Sequence, residues 1–444
     1  MAMLDPVNNN SRIIARSAPE GPRDPFIGHD DVVTGEQYAL ALHNRGSTDR
    51  ESSVSIYIHL PFCPSRCLSC DHNTTVTHDS AEIDRYLDAL EREMALVTER
   101  IGSGRNLLQL HLGGGTPNYL SDHQLVRLVD IIEHNFTIVD TTETSLEASP
   151  KRTSYSQLAL LRGLGFRRIN FEVRDLDPDV QMALGRSQSL SILHDVFDGA
   201  RQVGFETISM DLVYGLPSQS LASIRRTLHQ VVELGPDRIS CFSYSRRPGA
   251  FAHQRALNVG TMPSLGDKMA MFNSIVQSLE VNNYRWVGLD CFARCDDSLS
   301  VAQLQHRLHR NWIGYTLHDS ADLYGFGTNA VSELSSLYVQ NHLLLPDWHE
   351  ALQYSSLPIR GGMHLSTADR ERRNAMTDLM CNLELRDFAS LVSNDNENSA
   401  LHQLHQDGLV DLSAERVAVT DHGRHVLHQL WGDASPLYRW AGAW

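Results

Sequence analysis

The sequence lacks any apolar run near the length of about 18 residues that a membrane-spanning helix requires. Its first residues, MAMLDPVNNNSRIIARSAPEGPRDP, also lack the apolar core of a secretory signal. These absences predict a cytoplasmic protein with no membrane segment. Apolar residues still make up 41% of the 444-residue chain, which is enough for a substantial core and argues against wholesale disorder.

Positive charge is also scarce. The net charge is -16 at pH 7, and Lys151 and Lys268 are the only lysines among 38 basic residues. A nucleic-acid-binding protein needs a basic surface stripe, so the composition argues against nucleic acid as a partner. The excess of arginine over lysine is typical of a GC-rich genome. Alternatively, some arginines form bidentate forks for carboxylates or phosphates.

The seven cysteines do not form the dispersed pairs of a disulfide framework. Three of them, Cys63, Cys67 and Cys70, lie together in FCPSRCLSCDHN, with His72 two positions later. One interpretation is a zinc site in which His72 is the fourth ligand. The other is a [4Fe-4S] cluster whose three thiolates leave one iron open for another ligand. The C-x3-C-x2-C spacing after Tyr-x-His-x-Pro-Phe favours the second, because it is the arrangement of radical S-adenosylmethionine (SAM) enzymes.

A second motif, LHLGGGTP, places Gly113, Gly114, Gly115 and Thr116 directly after a predicted strand. Glycines at the end of a strand let backbone amides approach a ligand closely. A tight turn between strand and helix explains a triple glycine equally well when it stands alone. Here it follows the cysteine loop by one strand–helix unit, which favours a site for the amino-acid end of SAM.

Short apolar runs that alternate with helical stretches predict parallel βαβ units. The predicted strands are Val54–His59, Leu107–Leu112, Thr144–Ala148, Arg168–Val173, Thr207–Tyr214 and Arg238–Tyr244. The apolar spacing after Asp79 predicts a helix that opens with a capping box between Asp79 and Glu82. Later helices are predicted over Tyr155–Leu164, Leu190–Val203 with Gly204 as its cap, and Ser220–Leu234. The fold class is therefore α/β, an open sheet or partial barrel with ligands at the C-terminal strand ends.

Four regions are predicted along the chain. Residues 1–50 form a partly ordered arm, and 51–290 form the barrel. Residues 291–365 cover the barrel, and 366–444 form a helical, winged-helix-like domain. The last region carries no basic cluster, so a structural or substrate-covering role is expected of it rather than DNA binding.

The chain resembles oxygen-independent coproporphyrinogen III oxidase, a radical SAM family of haem biosynthesis. The resemblance rests on YIHLPFCPSRCLSC, LHLGGGTPNYL, DLVYGLPSQS, PDRISCFSY, GLDCFARCDDSLSVAQ and LHRNWIGYT. It implies a (β/α)6 partial TIM barrel with a C-terminal helical domain. It also implies a [4Fe-4S] cluster on Cys63, Cys67 and Cys70.

The resemblance assigns further residues to SAM. A first molecule is expected at the positions of Tyr57, Gly114, Glu147 and Val331. A second molecule, or its site, matches the positions Ser69, Gly115, Thr116, Arg174, Arg186, Asp211 and Ser245. Asp211 lies within the apolar run ISMDLVYGL, where an acidic residue is costly without partners.

Several positions depart from the family pattern. His72 stands where the family has a cysteine that is linked to activity, and Ser69 replaces an aromatic residue. The strand end Ser-x-Gly-x-Gln appears as NFEVR, with Asn170, Glu172 and Arg174. The family's N-terminal substrate-binding segment is replaced by GPRDPFIGHD. The cluster and the first SAM site are therefore expected to be intact, while the second site and the approach of substrate are expected to be altered.

The resemblance implies the oxidative decarboxylation of two propionates of coproporphyrinogen III to vinyl groups, which gives protoporphyrinogen IX. One electron cleaves SAM to a 5′-deoxyadenosyl radical, which abstracts a hydrogen from the propionate β-carbon. Expected partners are the porphyrinogen, an electron donor such as flavodoxin or ferredoxin, and no second subunit. His72 is the candidate catalytic residue, and Arg246, Arg247, Arg294 and Arg310 are the candidate contacts for substrate carboxylates. The alternatives are a radical SAM paralogue for methyl transfer, cyclopropanation or haem breakdown, or a non-catalytic haem chaperone.

Overall fold

The computed structural model describes residues 33–49, 52–319, 321–386, 395–413 and 415–425. Most of the predicted N-terminal arm, with the GPRDPFIGHD segment, lies outside the described residues. None of the helices in the described ranges is both long and apolar enough to cross a membrane.

The first half of the chain alternates strands with helices, as the apolar pattern predicts. Its elements are α1 (Gly35–Thr48), β1 (Val54–Leu60), β2 (Phe62–Cys63), β3 (Thr75–Val76), α2 (Ser80–Ile101), β4 (Arg105–Gly114), α3 (Asp122–Asn135), β5 (Phe136–Thr137), β6 (Glu143–Ala148), α4 (Tyr155–Gly163), β7 (Arg168–Arg174), α5 (Pro178–Leu184), α6 (Leu190–Val203), β8 (Thr207–Tyr214), α7 (Leu221–Leu234) and β9 (Arg238–Ser243).

The six predicted strands form one parallel sheet in the order β9-β8-β7-β6-β4-β1. Each connection is a crossover that carries a helix, which is the form parallel strands require. Because all six strands run the same way, their C-terminal ends lie along one edge. The predicted α/β fold class is confirmed, since the sheet is mostly parallel and its strands alternate with helices.

The second half of the chain extends this sheet. It contains α8 (Leu265–Val281), β10 (Tyr284–Gly288), β11 (Cys291–Arg294), α9 (Ser298–Leu304), β12 (His309–Asn311), β13 (Gly314–Thr316), β14 (Leu323–Phe326), β15 (Val331–Leu334), β16 (Leu337–Asn341), α10 (Leu345–Gln353) and β17 (Ile359–His364). β14 pairs in parallel with β1, and β15 to β17 follow it as antiparallel strands. Much of the predicted covering segment is thus hydrogen-bonded into the main sheet, and the domain boundaries themselves stay predictions.

The C-terminal region is small and mixed. It consists of α11 (Thr367–Asn382), β18 (Glu384–Arg386), α12 (Asp395–Gln406), β19 (Val410–Leu412), β20 (Arg416–Val419) and α13 (Asp421–Arg424). β20 pairs with both β18 and β19 in an antiparallel sheet.

The core lies between the parallel sheet and its helices, and α2 illustrates why. Its residues Ile83, Leu87, Leu90, Met94 and Val97 recur at helical spacing, and all are buried. Burying an aliphatic side chain of this size stabilises the fold by roughly 1.5–3 kcal/mol. The helix is therefore fixed on the outside of the sheet by this apolar face.

The capping box predicted at the start of α2 is wrong in part. Asp79 is the N-cap and accepts from the Ala81 amide at 2.9 Å. Glu82, however, accepts from the Thr77 hydroxyl, and the Asp79 amide donates to that same hydroxyl at 3.2 Å. A residue before the cap therefore takes the role that the box assigns to Glu82.

Candidate functional site

The predicted site residues lie where the parallel strands end. The cysteine loop follows β1, the triple glycine ends β4, and Glu147 is the penultimate residue of β6. Arg174 is the last residue of β7, and Ser245 comes shortly after β9. The C-terminal edge of a parallel sheet thus gathers residues that lie far apart in sequence.

The three thiols lie in one loop. Cys63 Sγ is 3.4 Å from Thr116 Oγ1, and Cys67 Sγ is 3.8 Å from an Arg186 nitrogen. Cys70 is buried, and its thiol faces the His72 carbonyl oxygen at 3.7 Å. In the part of the chain that the structure describes, no group of three or more His, Cys, Asp or Glu side chains is arranged around one metal ion. The zinc site and the cluster would both use the three thiols of this loop.

The triple-glycine turn holds one side of the cysteine loop. The Gly115 amide donates to the Leu60 oxygen at 2.8 Å, and the Thr116 amide donates to the Phe62 oxygen at 3.0 Å. A Cβ on Gly115 would lie 2.7 Å from backbone atoms of Pro61 and Phe62, so the two segments need glycine there. Gly114 has a φ of 110°, which also favours glycine.

Distant segments hold the other side of the loop. His253 Nε2 lies 2.7 Å from the Cys70 oxygen, and the Gln254 amide donates to the same oxygen at 3.0 Å. The Leu68 amide donates to the Leu184 oxygen at the end of α5 at 3.2 Å. The loop is therefore fixed by backbone and side-chain hydrogen bonds from several elements.

The residues expected at the first SAM molecule come together. The Gly114 amide donates to Glu147 Oε2 at 3.1 Å, and a Cβ on Gly113 would meet both Tyr57 and Glu147. Val331 lies further along the same sheet, because Tyr57 pairs with Gly325 of β14 and the Val331 backbone packs against Gly325.

Two histidines support this group. The Tyr57 hydroxyl lies 3.0 Å from His59 Nδ1, and the Tyr57 ring stacks on His111 with centroids 5.9 Å apart. His111 Nε2 is 3.6 Å from Glu147 Oε1. Burial alone would raise the pKa of Glu147, but the hydrogen bond and charge of His111 outweigh it and hold that pKa below its usual value. Glu147 is therefore an anion, as a partner for the ammonium group of SAM must be.

The arginines expected at the second SAM molecule contact another residue of the chain. Arg174 Nε donates to Glu172 Oε1 at 2.6 Å, and an Arg186 nitrogen donates to Glu172 Oε2 at 2.9 Å. Arg174 also donates to Ser69 Oγ at 2.9 Å. Arg174 has a φ of 72° and lies at an irregularity in the pairing of β7 with β8, so its backbone is strained.

Asp211, which is also expected at the second SAM molecule, is hydrogen-bonded to another residue of the chain. The Asn170 amide donates to Asp211 Oδ2 at 2.6 Å. Burial, together with the negative charges of Glu147 and Glu172, raises the pKa of Asp211 to about 7. Ser245 is exposed, two residues past the end of β9.

His72 lies at the end of the cysteine loop and contacts two of its residues, Asp71 and Cys70. Its Nδ1 is 3.1 Å from Asp71 Oδ1. Its side chain is 55% exposed, and hydrogen bonds and charges of Asp71 and Cys70 raise its pKa above the usual value. The histidine is thus a neighbour of the Cys70 thiol.

The four candidate arginines for substrate carboxylates do not lie together. Arg247 is 3.7 Å from Asp71 Oδ2, and the Arg246 guanidinium donates to the Gln254 oxygen, so both lie near the cysteine loop. Arg294 is the last residue of β11 and lies beside the start of β9. Its backbone amide donates to the Asp237 backbone oxygen at 2.9 Å. This position is at the opposite edge of the sheet, so the expectation for Arg294 is wrong.

Arg310 also lies away from the cysteine loop. It belongs to the β12–β13 hairpin, and its guanidinium is 5.7 Å from the Tyr315 ring centroid. The hairpin contacts the N-terminal halves of β4 and β6. The Asn311 side-chain amide donates to Gln109 Oε1 at 2.6 Å, and the Thr316 hydroxyl donates to Glu143 Oε2 at 3.2 Å. Only Arg246 and Arg247 of the four therefore stand next to the predicted cofactor site.

The residues of the first position fit a cluster and one SAM molecule. Three thiols share one loop, and a glycine cradle that a Cβ would fill adjoins an anionic carboxylate. The residues expected at the second position, that of the second SAM molecule, fit such a molecule less well. Glu172 already binds Arg174 and Arg186, and Asn170 already binds Asp211.

Sequence reasoning did not assign His59, His111, His253 or Gln254. The first two had a local signal, because Tyr57 and His59, like His111 and Gly113, are two residues apart and share a strand face. His253 and Gln254 reach a loop more than 180 residues away, and no local pattern marks such a contact.

Comparison with known proteins agrees with this geometry. Residues 57–231 match the family model described as the Radical SAM superfamily. A parallel partial barrel with a three-cysteine loop after its first strand defines the chain as a radical SAM protein.

Relatives narrow the class. An oxygen-independent coproporphyrinogen III oxidase of Pseudomonas aeruginosa is 34% identical, covering 96% of each chain. One of Synechocystis sp. is 35% identical, over 86% of this chain and 84% of the relative. The solved structure of the Escherichia coli coproporphyrinogen III oxidase, described as a radical SAM enzyme, superposes with a TM-score of 0.87 at 32% identity, covering 96% of this chain and 98% of the other. The chain belongs to the oxygen-independent coproporphyrinogen III oxidase family of radical SAM oxidoreductases, as the sequence resemblance predicted.

Proposed function

We propose that this chain catalyses the oxygen-independent decarboxylation of coproporphyrinogen III to protoporphyrinogen IX in haem biosynthesis. The observation that carries the proposal is the contact between the Gly114 amide and Glu147 beside the cysteine loop. It sets an anion and a glycine cradle next to three thiols, within a fold shared along nearly the whole length of a solved family member.

The residues have distinct roles in this proposal. Cys63, Cys67 and Cys70 hold the cluster, and Glu147 binds the ammonium group of SAM while the backbone at Gly114 lies alongside. Tyr57 is held by His59 and His111 and closes one wall of the site. When bound, the cluster and SAM supply one-electron chemistry that removes a hydrogen atom from an unactivated carbon.

The pKa of His59 indicates that this histidine adds no charge to the wall of the site. Burial lowers it to about 4, so the imidazole is neutral at pH 7. A neutral ring can share a hydrogen bond with the Tyr57 hydroxyl without placing a second cation beside the ammonium group of SAM. His59 therefore orients Tyr57 without competing for Glu147.

Substrate carboxylates require cations near this edge of the sheet. Arg246 and Arg247 lie in the segment that carries His253 and Gln254, and those two residues hold the Cys70 oxygen. We assign Arg246 and Arg247 to one propionate of the substrate, since a guanidinium binds a carboxylate through two parallel hydrogen bonds. The Asp71 carboxylate keeps Arg247 in place until substrate arrives.

The test is anaerobic turnover of the reconstituted chain with coproporphyrinogen III, SAM and dithionite. The expected result is protoporphyrinogen IX, with carbon dioxide and 5′-deoxyadenosine formed alongside it. Formation of 5′-deoxyadenosine without any decarboxylated porphyrin contradicts the substrate assignment and favours a radical SAM paralogue with other chemistry. An electron donor such as flavodoxin or ferredoxin, and activity as a monomer, belong to the same proposal.

A variant at the substrate edge sharpens this test. Arg247→Gln should raise the KM for coproporphyrinogen III about tenfold, because one charge-assisted contact is lost. Arg294→Gln removes a guanidinium at the opposite edge of the sheet and should leave the KM unchanged. Equal effects of the two changes would show that Arg247 does not contact the substrate.

A further inference from the structure

Two guanidinium groups at the end of β7 hold one carboxylate of the chain itself. Glu172 Oε1 accepts from Arg174 at 2.6 Å, and Glu172 Oε2 accepts from Arg186 at 2.9 Å. Arg186 also donates to the Glu172 backbone oxygen at 2.6 Å. Both carboxylate oxygens are thus bound in the manner in which an arginine pair binds the carboxylate of a ligand.

The arginine pair faces the cysteine loop. Arg174 donates to Ser69 Oγ at 2.9 Å, and an Arg186 nitrogen lies 3.8 Å from Cys67 Sγ. The group Glu172, Arg174 and Arg186, here called the arginine–glutamate triad, therefore borders the cofactor site.

The triad is largely shielded from water, which makes its internal pairing strong. The side chains of Arg174 and Arg186 are 9% and 13% exposed, and that of Glu172 is 29% exposed. Removing one partner from a buried ion pair is strongly destabilising, because it leaves an uncompensated charge. An external carboxylate must therefore displace Glu172 before it can bind these arginines.

The departures from the family pattern contact one another as a set. Ser69, Glu172 and Arg174 are joined through the triad. Asn170 is joined to Asp211, a residue at a position that the family keeps, by a 2.6 Å hydrogen bond. Arg186 and Asp211, which the resemblance assigns to a second SAM molecule, are thereby both bound by residues that depart from the pattern.

We propose that Glu172 is an internal carboxylate that fills the arginine-lined second position, so that this chain binds one SAM molecule per cluster. Removing that carboxylate opens the arginine pair to a carboxylate from solution. The inference rests on the proposed function only in taking SAM as the ligand of the first position.

The first test is the stoichiometry of SAM binding to the reconstituted protein, measured by anaerobic equilibrium dialysis with the cluster oxidised so that SAM is not cleaved. The wild type should bind one molecule per cluster, and Glu172→Gly should bind two. Two molecules in the wild type would overturn the proposal, as would one in a folded Glu172→Gly protein that keeps its iron.

The matched control is Asp297→Asn. Asp297 pairs with Arg238 at 2.9 Å, and these side chains are 8% and 11% exposed, close to the values of the two arginines of the triad. The pair lies at the start of β9, away from the cofactor edge. Losing this carboxylate should leave the stoichiometry at one, because it opens no position beside the cluster. A rise to two in this control would show that any broken ion pair has the same effect and would overturn the assignment to Glu172.

The second test does not depend on cluster or SAM, and it covers a Glu172→Gly protein that holds iron poorly. Glu172→Gly and Glu172→Gln are unfolded in urea with increasing sodium propionate, against sodium chloride at equal ionic strength. Propionate should lower the unfolding constant of these variants about tenfold when its concentration is ten times its Kd, and should not change that of the wild type. No response in either variant, or an equal response in the wild type, would overturn the proposal. Neither test uses a porphyrinogen, so a failed decarboxylation assay leaves both results readable.

Discussion

His72 lies between the Asp71 carboxylate, at 3.1 Å, and the neighbourhood of the Cys70 thiol. The sequence left it open whether this histidine is the fourth ligand of a metal or a replacement for a cysteine. Its position beside Cys70, in a chain that belongs to a radical SAM family, favours the second interpretation. A role beside the cluster stays a prediction for this residue.

Replacing His72 by alanine should leave the iron and sulfide content of the reconstituted protein unchanged, because the proposed site holds the cluster through three thiolates and not through the histidine. Cys67→Ser serves as the matched control in the same loop and should lose most of its iron. Both are measured by iron and acid-labile sulfide assays after anaerobic reconstitution. A loss in His72→Ala as large as that in Cys67→Ser would make the histidine a ligand.

The glycine turn after β4 and the cysteine loop after β1 act as one unit, because the two are joined by backbone hydrogen bonds at 2.8 and 3.0 Å. The sequence predicted this turn from its glycines, since only glycine permits such an approach. It did not predict what the turn would approach. That partner is set by the pairing of β1 with β4 and not by local spacing.

Gly115→Ala should destabilise the apo-protein by about 1–3 kcal/mol and reduce iron incorporation, because its Cβ would lie 2.7 Å from the backbone of the cysteine loop. Gly163→Ala is the control. Gly163 ends α4, and a Cβ there meets nothing within 4 Å, so this change should be neutral or slightly stabilising. Urea unfolding and iron assays of both variants measure the difference. Equal behaviour would mean that the loop moves freely away from the turn.

The elements that sequence predicted well are those with strong local signals. β8 and α6 have the predicted bounds, since a buried parallel strand reads as an apolar run and Gly204 caps its helix in the left-handed conformation. β14 to β17 were not predicted as strands of the main sheet. They are short, lie among loops, and are identified by their partners more than by their own composition.

One buried carboxylate links the two halves of the described chain. Glu93 of α2 accepts from the Gly327 amide at 2.8 Å, from the Trp348 indole at 3.2 Å and from the Asn341 amide at 2.5 Å. These partners follow β14, end β16 and lie in α10. The second half of the chain is thereby tied to the first helix of the barrel. Burial raises the pKa of Glu93 to about 7, although its hydrogen bonds lower it.

A carboxyl with a folded-state pKa above its unfolded value of 4.5 binds its proton more tightly in the folded state. Its contribution to stability is therefore largest below pH 4.5 and declines as the pH rises to about 7. We expect the advantage of wild type over Glu93→Gln in free energy of unfolding to shrink across this range, by up to about 3 kcal/mol. Urea unfolding of both proteins at a series of pH values measures this. A constant difference would show that Glu93 does not titrate in this range.

The long reach of His253 and Gln254 to the Cys70 oxygen also has a consequence for the order of events during synthesis. Ribosomes add about 5–20 residues per second, so these two side chains are made roughly 10–40 s after the cysteines they support. Until then the nascent chain carries three closely spaced thiols whose loop lacks one of its supports. The cysteine loop therefore gains its full set of hydrogen bonds only after the segment that carries His253 and Gln254 has been synthesised.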